Sequence, residues 1–388
     1  MTHEKVNFVF GLEADAVCSA ISSHGYEICA VGGCVRDFFM KRVAHDIDLT
    51  TNAPSTKIIE ILQGAGIYAY DKGGSCGTVG ARINGAEIEI TPYRSEGGYY
   101  DHRHPTSVVF EESIDADLSR RDFTVNAMAV SYEGALYDLF GGREDIERKT
   151  LRCVGNPKER FCEDALRILR ALRFSSKLGF EIEEETEKAI YSCEHLLSFV
   201  SGERIREELY GILTGEYPSK TIYSYKDILS RLLCDITPCE LEKLPMSFEK
   251  RLFYLVKDAN MQEILDMTER IKLSGTEKNT VVRYKEIYDS LDLSSYDEMS
   301  ESFARLVLKY GSAVEDFLLL FSKGFSRNGR PMSVKELDIS GEDIMHQGLR
   351  GKEVGRALDE IFVSVFTRKT ENKKESLEAW VKKIAERK

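Results

Sequence analysis

The hydrophobic pattern changes its period once, near residue 140, and that change limits the chain to a mixed α/β start followed by a helical remainder. Short β-like runs alternate with Gly-rich turns over Glu27 to Val31, Asp46 to Thr50, Thr78 to Ile83, Glu87 to Thr91, Ser107 to Phe110 and Ala127 to Tyr132. Asn84-Gly85 separates the third and fourth runs. This dipeptide suits a two-residue hairpin loop, so those strands are predicted to be antiparallel neighbours. From Asp145 onward the period lengthens. Phe161 to Phe174 carries apolar residues at 161, 165, 166, 168, 169 and 172, which predicts one amphipathic helix. Ser201 followed by Glu203 to Leu213 predicts another, capped by the serine. Gly324 to Pro331 reads as a linker, and Val354 to Val365 and Leu377 to Ile384 close the chain as helices.

Composition excludes several classes. At 388 residues the chain is more than twice the roughly 150 of one domain, so two to three structural units are expected. With 42% hydrophobic and 30% charged residues and only 8 Pro, it is neither a collagen, a mucin nor a disordered tail. No stretch approaches the ~20 apolar residues of a membrane helix, and Met1 to Phe10 lacks the features of a signal peptide; a cytosolic protein with no membrane partner is expected. The nine cysteines contain no Cys-x-x-Cys, and neither Cys29/Cys34 nor Cys234/Cys239 is completed by a His or Cys cluster. They are predicted to be buried reduced thiols, which leaves oxygen ligands for any metal chemistry. A net charge of −12 argues against a surface coated in basic charge for nucleic acid. Between Arg143 and Lys177, however, ten basic residues face six acids, so a local basic groove stays open.

The chemistry concentrates near the N-terminus. On a strand, Asp46 and Asp48 point the same way about 6–7 Å apart, a spacing that can hold a hard divalent cation. Upstream, Gly32-Gly33 follows one predicted strand and precedes a probable helix, where backbone N–H groups can approach phosphate oxygens. Glu89, alternating with Ile88 and Ile90, can supply a third carboxylate. Three acids on adjacent strands are what two-metal phosphoryl transfer requires, although acids alternating on strands often merely face solvent.

Three segments carry a resemblance. GGCVRDFFMKRVAHDIDLTTNA (32–53), RRDFTVNAMA (120–129) and EDALRILRALRF (163–174), in that order and spacing, closely resemble the class II CCA-adding tRNA nucleotidyltransferases and the related bacterial poly(A) polymerases. The match covers about residues 25–210, and Ser201-Gly-Glu-Arg-Ile-Arg-Glu-Glu-Leu belongs to the same pattern. The resemblance implies an α+β fold: a nucleotidyltransferase head with a mixed sheet over 1–140, then an all-helical neck (141–210), body (211–275) and tRNA-binding tail (276–388). It implies Mg²⁺ on Asp46 and Asp48, with Glu89 as third carboxylate and Asp122 as its competitor. Gly32, Gly33 and Arg36 would contact the triphosphate, Asp37 would support the turn, and Arg121, Asp122, Asn126 and Arg170 would complete the nucleotide site. Thr91-Pro92-Tyr93-Arg94 departs from the family's signature after Glu89, and its proline puts the local strand geometry in question.

Asp164 and Arg167 are the base-reading pair that the resemblance implies. At i and i+3 of a helix, a carboxylate acceptor and a guanidinium donor can face one base edge. Cytosine and adenine both offer an amine beside a bare ring nitrogen; uracil and guanine offer the reverse. The pair therefore admits CTP and ATP without a template, whereas the same spacing alone commonly means an intrahelical salt bridge. Arg94 to Pro105, Gly- and charge-rich, reads as a loop; the resemblance makes it the flexible loop used in switching from C to A, and a plain surface excursion is its alternative. Cys76-Gly77-Thr78-Val79 looks more like the CCA-adding branch. His45-Asp46 lacks the further ligands of a metal phosphohydrolase, His102 and His104 read as solvated, and Trp380 as a packing residue. The expected partners are tRNA, CTP and ATP, and the oligomeric state is left open. An A-adding enzyme, a poly(A) polymerase and a non-catalytic RNA-binding protein on the same scaffold remain alternatives.

Overall fold

A computed structural model describes the chain apart from residues 1–3, 45, 74–76, 100–104, 324, 326 and 387–388. Two compact units form, Met1–Ile228 and Leu229–Lys388. In chain order the first contains α1 (Leu12–Ser23), β1 (Ile28–Val31), α2 (Gly33–Phe39), β2 (Asp48–Thr51), α3 (Ser55–Gly64), β3 (Tyr68–Asp71), β4 (Val79–Ile83), β5 (Ala86–Pro92), β6 (Arg94–Tyr99), β7 (Pro105–Phe110), α4 (Ile114–Ser119), β8 (Ala129–Ser131), β9 (Leu136–Tyr137) and α5 (Gly142–Arg148). Then come β10 (Thr150–Leu151), α6 (Pro157–Glu163), α7 (Leu166–Leu178), β11 (Glu181–Ile182), α8 (Glu184–Cys193) and α9 (Gly202–Leu213).

Seven strands make one mixed sheet in the order β3-β4-β5-β2-β1-β8-β9. All four residues of β1 are buried, as its unbroken apolar run Ile-Cys-Ala-Val requires at the sheet's interior. β2 runs parallel to β5 and antiparallel to β1. The β4–β5 hairpin is present as expected, with Asn84 (φ 50°) and Gly85 (φ 85°) both in the left-handed region that its two-residue turn demands. Pro92 closes β5, where the missing N–H does not interrupt the ladder; the next N–H, that of Tyr93, bonds Thr51 O at 2.7 Å.

Four details of this unit differ from the sequence reading. β2 begins at Asp48, so Asp46 precedes the strand: its partner β1 leaves the sheet at the Gly32 turn and offers no further backbone to pair with. Arg94 to Tyr99 is not loop but strand, paired antiparallel with Pro105–Phe110, because a β-branched run lies within reach to satisfy its backbone. His102 and His104 fall outside the described residues, as does Cys76. The expected helix over 161–174 is two helices, broken at Asp164 (φ −140°, ψ 104°), whose carboxylate accepts the Leu166 N–H at 3.0 Å. Ser201 does occupy the N-cap of α9, but its hydroxyl makes no capping bond.

The second unit is helical, and its helix starts are marked by reciprocal caps at Asn260/Glu263, Ser274/Glu277 and Ser340/Asp343. Phe253 packs with Tyr284, Tyr288 and Phe317, and Phe303 with Phe325 and Phe366. The stretch expected as a linker is packed at Arg330, which is 5% exposed, pairs with Glu298 at 2.8 Å and lies over the rings of Phe325 and Phe366. The last two helices form as expected, over Lys352–Phe366 and Lys374–Glu386. Among the described residues no helix is long and apolar enough to cross a membrane. Cys18, Cys29, Cys34, Cys153 and Cys193 are buried and free, Cys234 and Cys239 half-buried and free, and Cys162 exposed.

Candidate active site

The register of β2 and β5 places Asp48 opposite Glu89. On β5 the inward positions are Ile88 and Ile90, so Glu87 and Glu89 project from the other face, where Asp48 is also exposed. Although Asp48 reaches solvent, the protein packed around its carboxylate strips part of its hydration, and this, then the charge of Glu89, raises its pKa above the ordinary carboxylate value; Arg121 opposes the shift and Asp46 adds to it. Asp46, just outside the strand, is therefore close enough to be felt. Such crowding of oxygen donors suits a hard divalent cation. Among the described residues no three His, Cys, Asp or Glu side chains form a ready-made cage. This also fits an ion held by one or two carboxylates and completed by substrate phosphates. Glu89 is meanwhile bound to Lys72 Nζ at 2.7 Å.

Beside these acids lies the Gly32 turn. Gly32 has φ 77° and ψ −126°, a conformation that only glycine adopts readily, and a Cβ there would sit 3.2 Å from Arg121 Nη1. Arg121 thus lies directly over the turn. It is held by Asp117, whose fully buried carboxylate takes Arg120 at 2.7 Å and Arg121 at 2.9 Å. Asp117 was missed from sequence, although it stands three and four residues before those arginines on one helical face.

Arg36 is placed differently from the expected phosphate contact. It is 4% exposed, with its guanidinium on Asp37 (2.8 and 3.0 Å) and on Asn126 Oδ1 (2.7 Å). Asn126 Nδ2 in turn donates to Asp122 at 3.2 Å, and Asp122 receives Arg170 twice, at 2.6 and 2.9 Å. An unbroken line of hydrogen bonds therefore runs from the helix after the Gly32-Gly33 turn to α7. Burial works against the Asp122 charge, but Arg170 and the bonds from Asn126 and the Phe123 N–H outweigh it and hold the pKa below the usual value. Asp122 is thereby committed to Arg170 and Asn126, whereas the carboxylate in register with Asp48 is that of Glu89. Phe174 finishes the assembly, with Arg36, Arg170 and Arg173 all within 5.6 Å of its ring centre.

The proposed base-reading pair does not share one helix. Asp164 lies in the junction between α6 and α7 and pairs with Arg204 of α9 at 2.8 Å. Arg167 is in the first turn of α7, mostly buried, and pairs with Glu163 at 2.5 Å. Arg204 was not singled out, though it lies in the quoted motif beginning at Ser201. The basic segment is largely neutralised: Arg143, Arg148, Arg152, Arg160, Arg167, Arg170 and Arg173 all carry acidic partners.

Comparison with known proteins gives a consistent result. Residues 28–152 match the Poly A polymerase head domain, and residues 179–227 match the family described as a probable RNA and SrmB-binding site of polymerase A. A CCA-adding enzyme of Bacillus pumilus is 32% identical over 391 residues, covering 94% of this chain and 95% of that protein. One from Oceanobacillus iheyensis is 31% identical, covering 95% and 96%. Among solved structures, the Bacillus stearothermophilus CCA-adding enzyme in complex with CTP aligns with a TM-score of 0.77 and 28% identity, over 97% of both chains. The Thermotoga maritima CCA-adding enzyme complexed with tRNA shares the fold, with a TM-score of 0.71 at 22% identity over 95% of this chain and 94% of that one.

Proposed function

This chain belongs to the family of CCA-adding enzymes, and from that membership we propose that it adds C, C and A to the 3′ end of tRNA from CTP and ATP, in the cytoplasm and without a template. The tRNA 3′ oxygen attacks the α-phosphorus, the bond from that phosphorus to the bridging oxygen breaks, pyrophosphate leaves, and the hydroxyl proton is released. The observation that carries the reading is the juxtaposition of Asp48 and Glu89 beside a glycine turn covered by Arg121.

Nucleotidyltransferases of this family use a divalent metal ion. We take it to be Mg²⁺, held by Asp46 and Asp48 with Glu89 as the adjacent third carboxylate. When bound, such ions lower the pKa of the attacking hydroxyl and offset charge on the leaving pyrophosphate. The chain's own groups do the rest. The Gly32-Gly33 turn lets the triphosphate approach the backbone, and Arg121, oriented by Asp117, faces it with positive charge. Arg36, Asp37, Asn126, Asp122 and Arg170 fix that turn against α7. Asp164 accepts from the exocyclic amine of C or A, and Arg167 donates to the neighbouring ring nitrogen. Arg204 orients Asp164 meanwhile. The head (1–140), neck (141–210), body (211–275) and tail (276–388) divide the work, the last holding tRNA by shape and phosphate contacts.

The test is pyrophosphate release from CTP and ATP in the presence of Mg²⁺ and tRNA lacking its terminal CCA. Release that requires both tRNA and the divalent ion, and that Asp46→Ala abolishes, is expected; release by Asp46→Ala at the native rate overturns the site.

A further inference from the structure

We propose that Lys72 is a positioning residue of the metal site: its ammonium holds Glu89 while no divalent ion is bound, and it competes with that ion for the carboxylate. The inference rests on the metal assignment above and adds to it a residue that neither the motifs nor the resemblance singles out.

Lys72 follows β3 at the sheet edge, and its N–H bonds Thr78 O at 2.9 Å, which fixes the base of the side chain. From there Nζ donates to both Glu87 and Glu89, the latter at 2.7 Å. Glu89 is the residue in register with Asp48. One cation therefore bridges two acids of β5, and one of those acids borders the proposed ion. All three side chains are between a third and a half exposed. An ion pair so open to water contributes little stability. A divalent cation on Asp46 and Asp48, with Glu89 beside it, faces three carboxylates where Lys72 faces two, so the lysine is displaceable. While it stays, it withholds one carboxylate and places positive charge beside the site; both effects weaken cation binding. Removing the lysine should thus tighten the site, whereas damage to the fold would loosen it.

Arg82 supplies the control. It lies on the neighbouring strand β4, pairs with Glu87 at 3.3 Å, and its loss changes the net charge of the sheet by the same amount without releasing Glu89.

The experiment is Mn²⁺ binding to the full chain without nucleotide, read from the electron paramagnetic resonance signal of free Mn²⁺. Lys72→Met should bind Mn²⁺ about two- to fivefold more tightly than the native protein, the range set by the strength of an exposed pair. Lys72→Arg should restore native affinity, Lys72→Met combined with Glu89→Gln should cancel the gain, and Arg82→Met should leave affinity unchanged. Unchanged or weaker binding by a folded Lys72→Met protein overturns the proposal, and so does equal tightening by Arg82→Met, which would mean a general charge effect. If the native protein and Asp48→Asn bind Mn²⁺ equally, the metal assignment itself falls, and this role with it.

Discussion

Asp48 on β2 and Glu89 on β5 stand directly opposite one another across two parallel strands, and the charge of Glu89 makes that of Asp48 harder to hold. With its folded pKa above the unfolded value, Asp48 costs stability once pH rises past the unfolded value near 4. At pH 7 without divalent ions, Asp48→Asn should therefore melt no lower than the native protein. Added Mg²⁺ should raise the melting temperature of the native protein more than that of the variant, and turnover of the variant should fall on the order of a thousandfold. Thermal denaturation with and without chelator, alongside the rate, checks both halves.

The Asp122–Arg170 pair behaves in the opposite sense. Its carboxylate pKa is depressed, so its stabilisation is complete above the unfolded value near 4 and is lost as pH falls through the lower folded value. Asp122→Ala should cost about 1–3 kcal/mol at pH 7, because it leaves the half-buried Arg170 guanidinium with only the more distant Glu208 as acidic partner, and much less at pH 2. Denaturant unfolding at the two pH values gives the comparison, and adding Arg170→Met should recover part of the loss at pH 7.

Gly32→Ala forces a side chain into a conformation that glycine alone tolerates and brings its Cβ to 3.2 Å from Arg121 Nη1. A stability loss of about 1–3 kcal/mol is expected, together with a rise in KM for both CTP and ATP as Arg121 is displaced. Steady-state kinetics with each nucleotide separates this from a change in base choice, since both should suffer alike.

Base choice should answer instead to Asp164 and its partner. Asp164→Ala should reduce the preference for CTP over UTP by about tenfold or more, since the acceptor that discriminates the amine is gone. Arg204→Met, which leaves the carboxylate but removes its 2.8 Å support, should give a smaller loss in the same direction. Single-turnover incorporation with the four nucleotides in turn measures both.

Much of the head is legible in sequence because its signals are local. Asn84-Gly85 announces its hairpin, the alternation over Glu87 to Ile90 places Glu89 on the exposed face, and Gly32 marks a turn that needs a positive φ. What is missed depends on distant partners. The strand starts at Asp48 rather than Asp46 because β1 runs out of residues to pair with. The helix breaks at Asp164, whose carboxylate then reaches Arg204, forty residues on. Arg36 looks like a phosphate ligand by its place beside the glycines, yet Asn126, ninety residues away, draws it inward. Lys72 carries no motif at all; only the sheet brings it to Glu89.

The most direct measurement is extension of radiolabelled tRNA lacking CCA, and of tRNA ending in C-C, by the purified full chain with Mg²⁺ and CTP, ATP or both, resolved at single-nucleotide length. Three additions to the first substrate, one to the second, and then arrest are expected. A single A added only to the C-C substrate, an unbounded run of A, or no extension of either would contradict CCA addition by this chain.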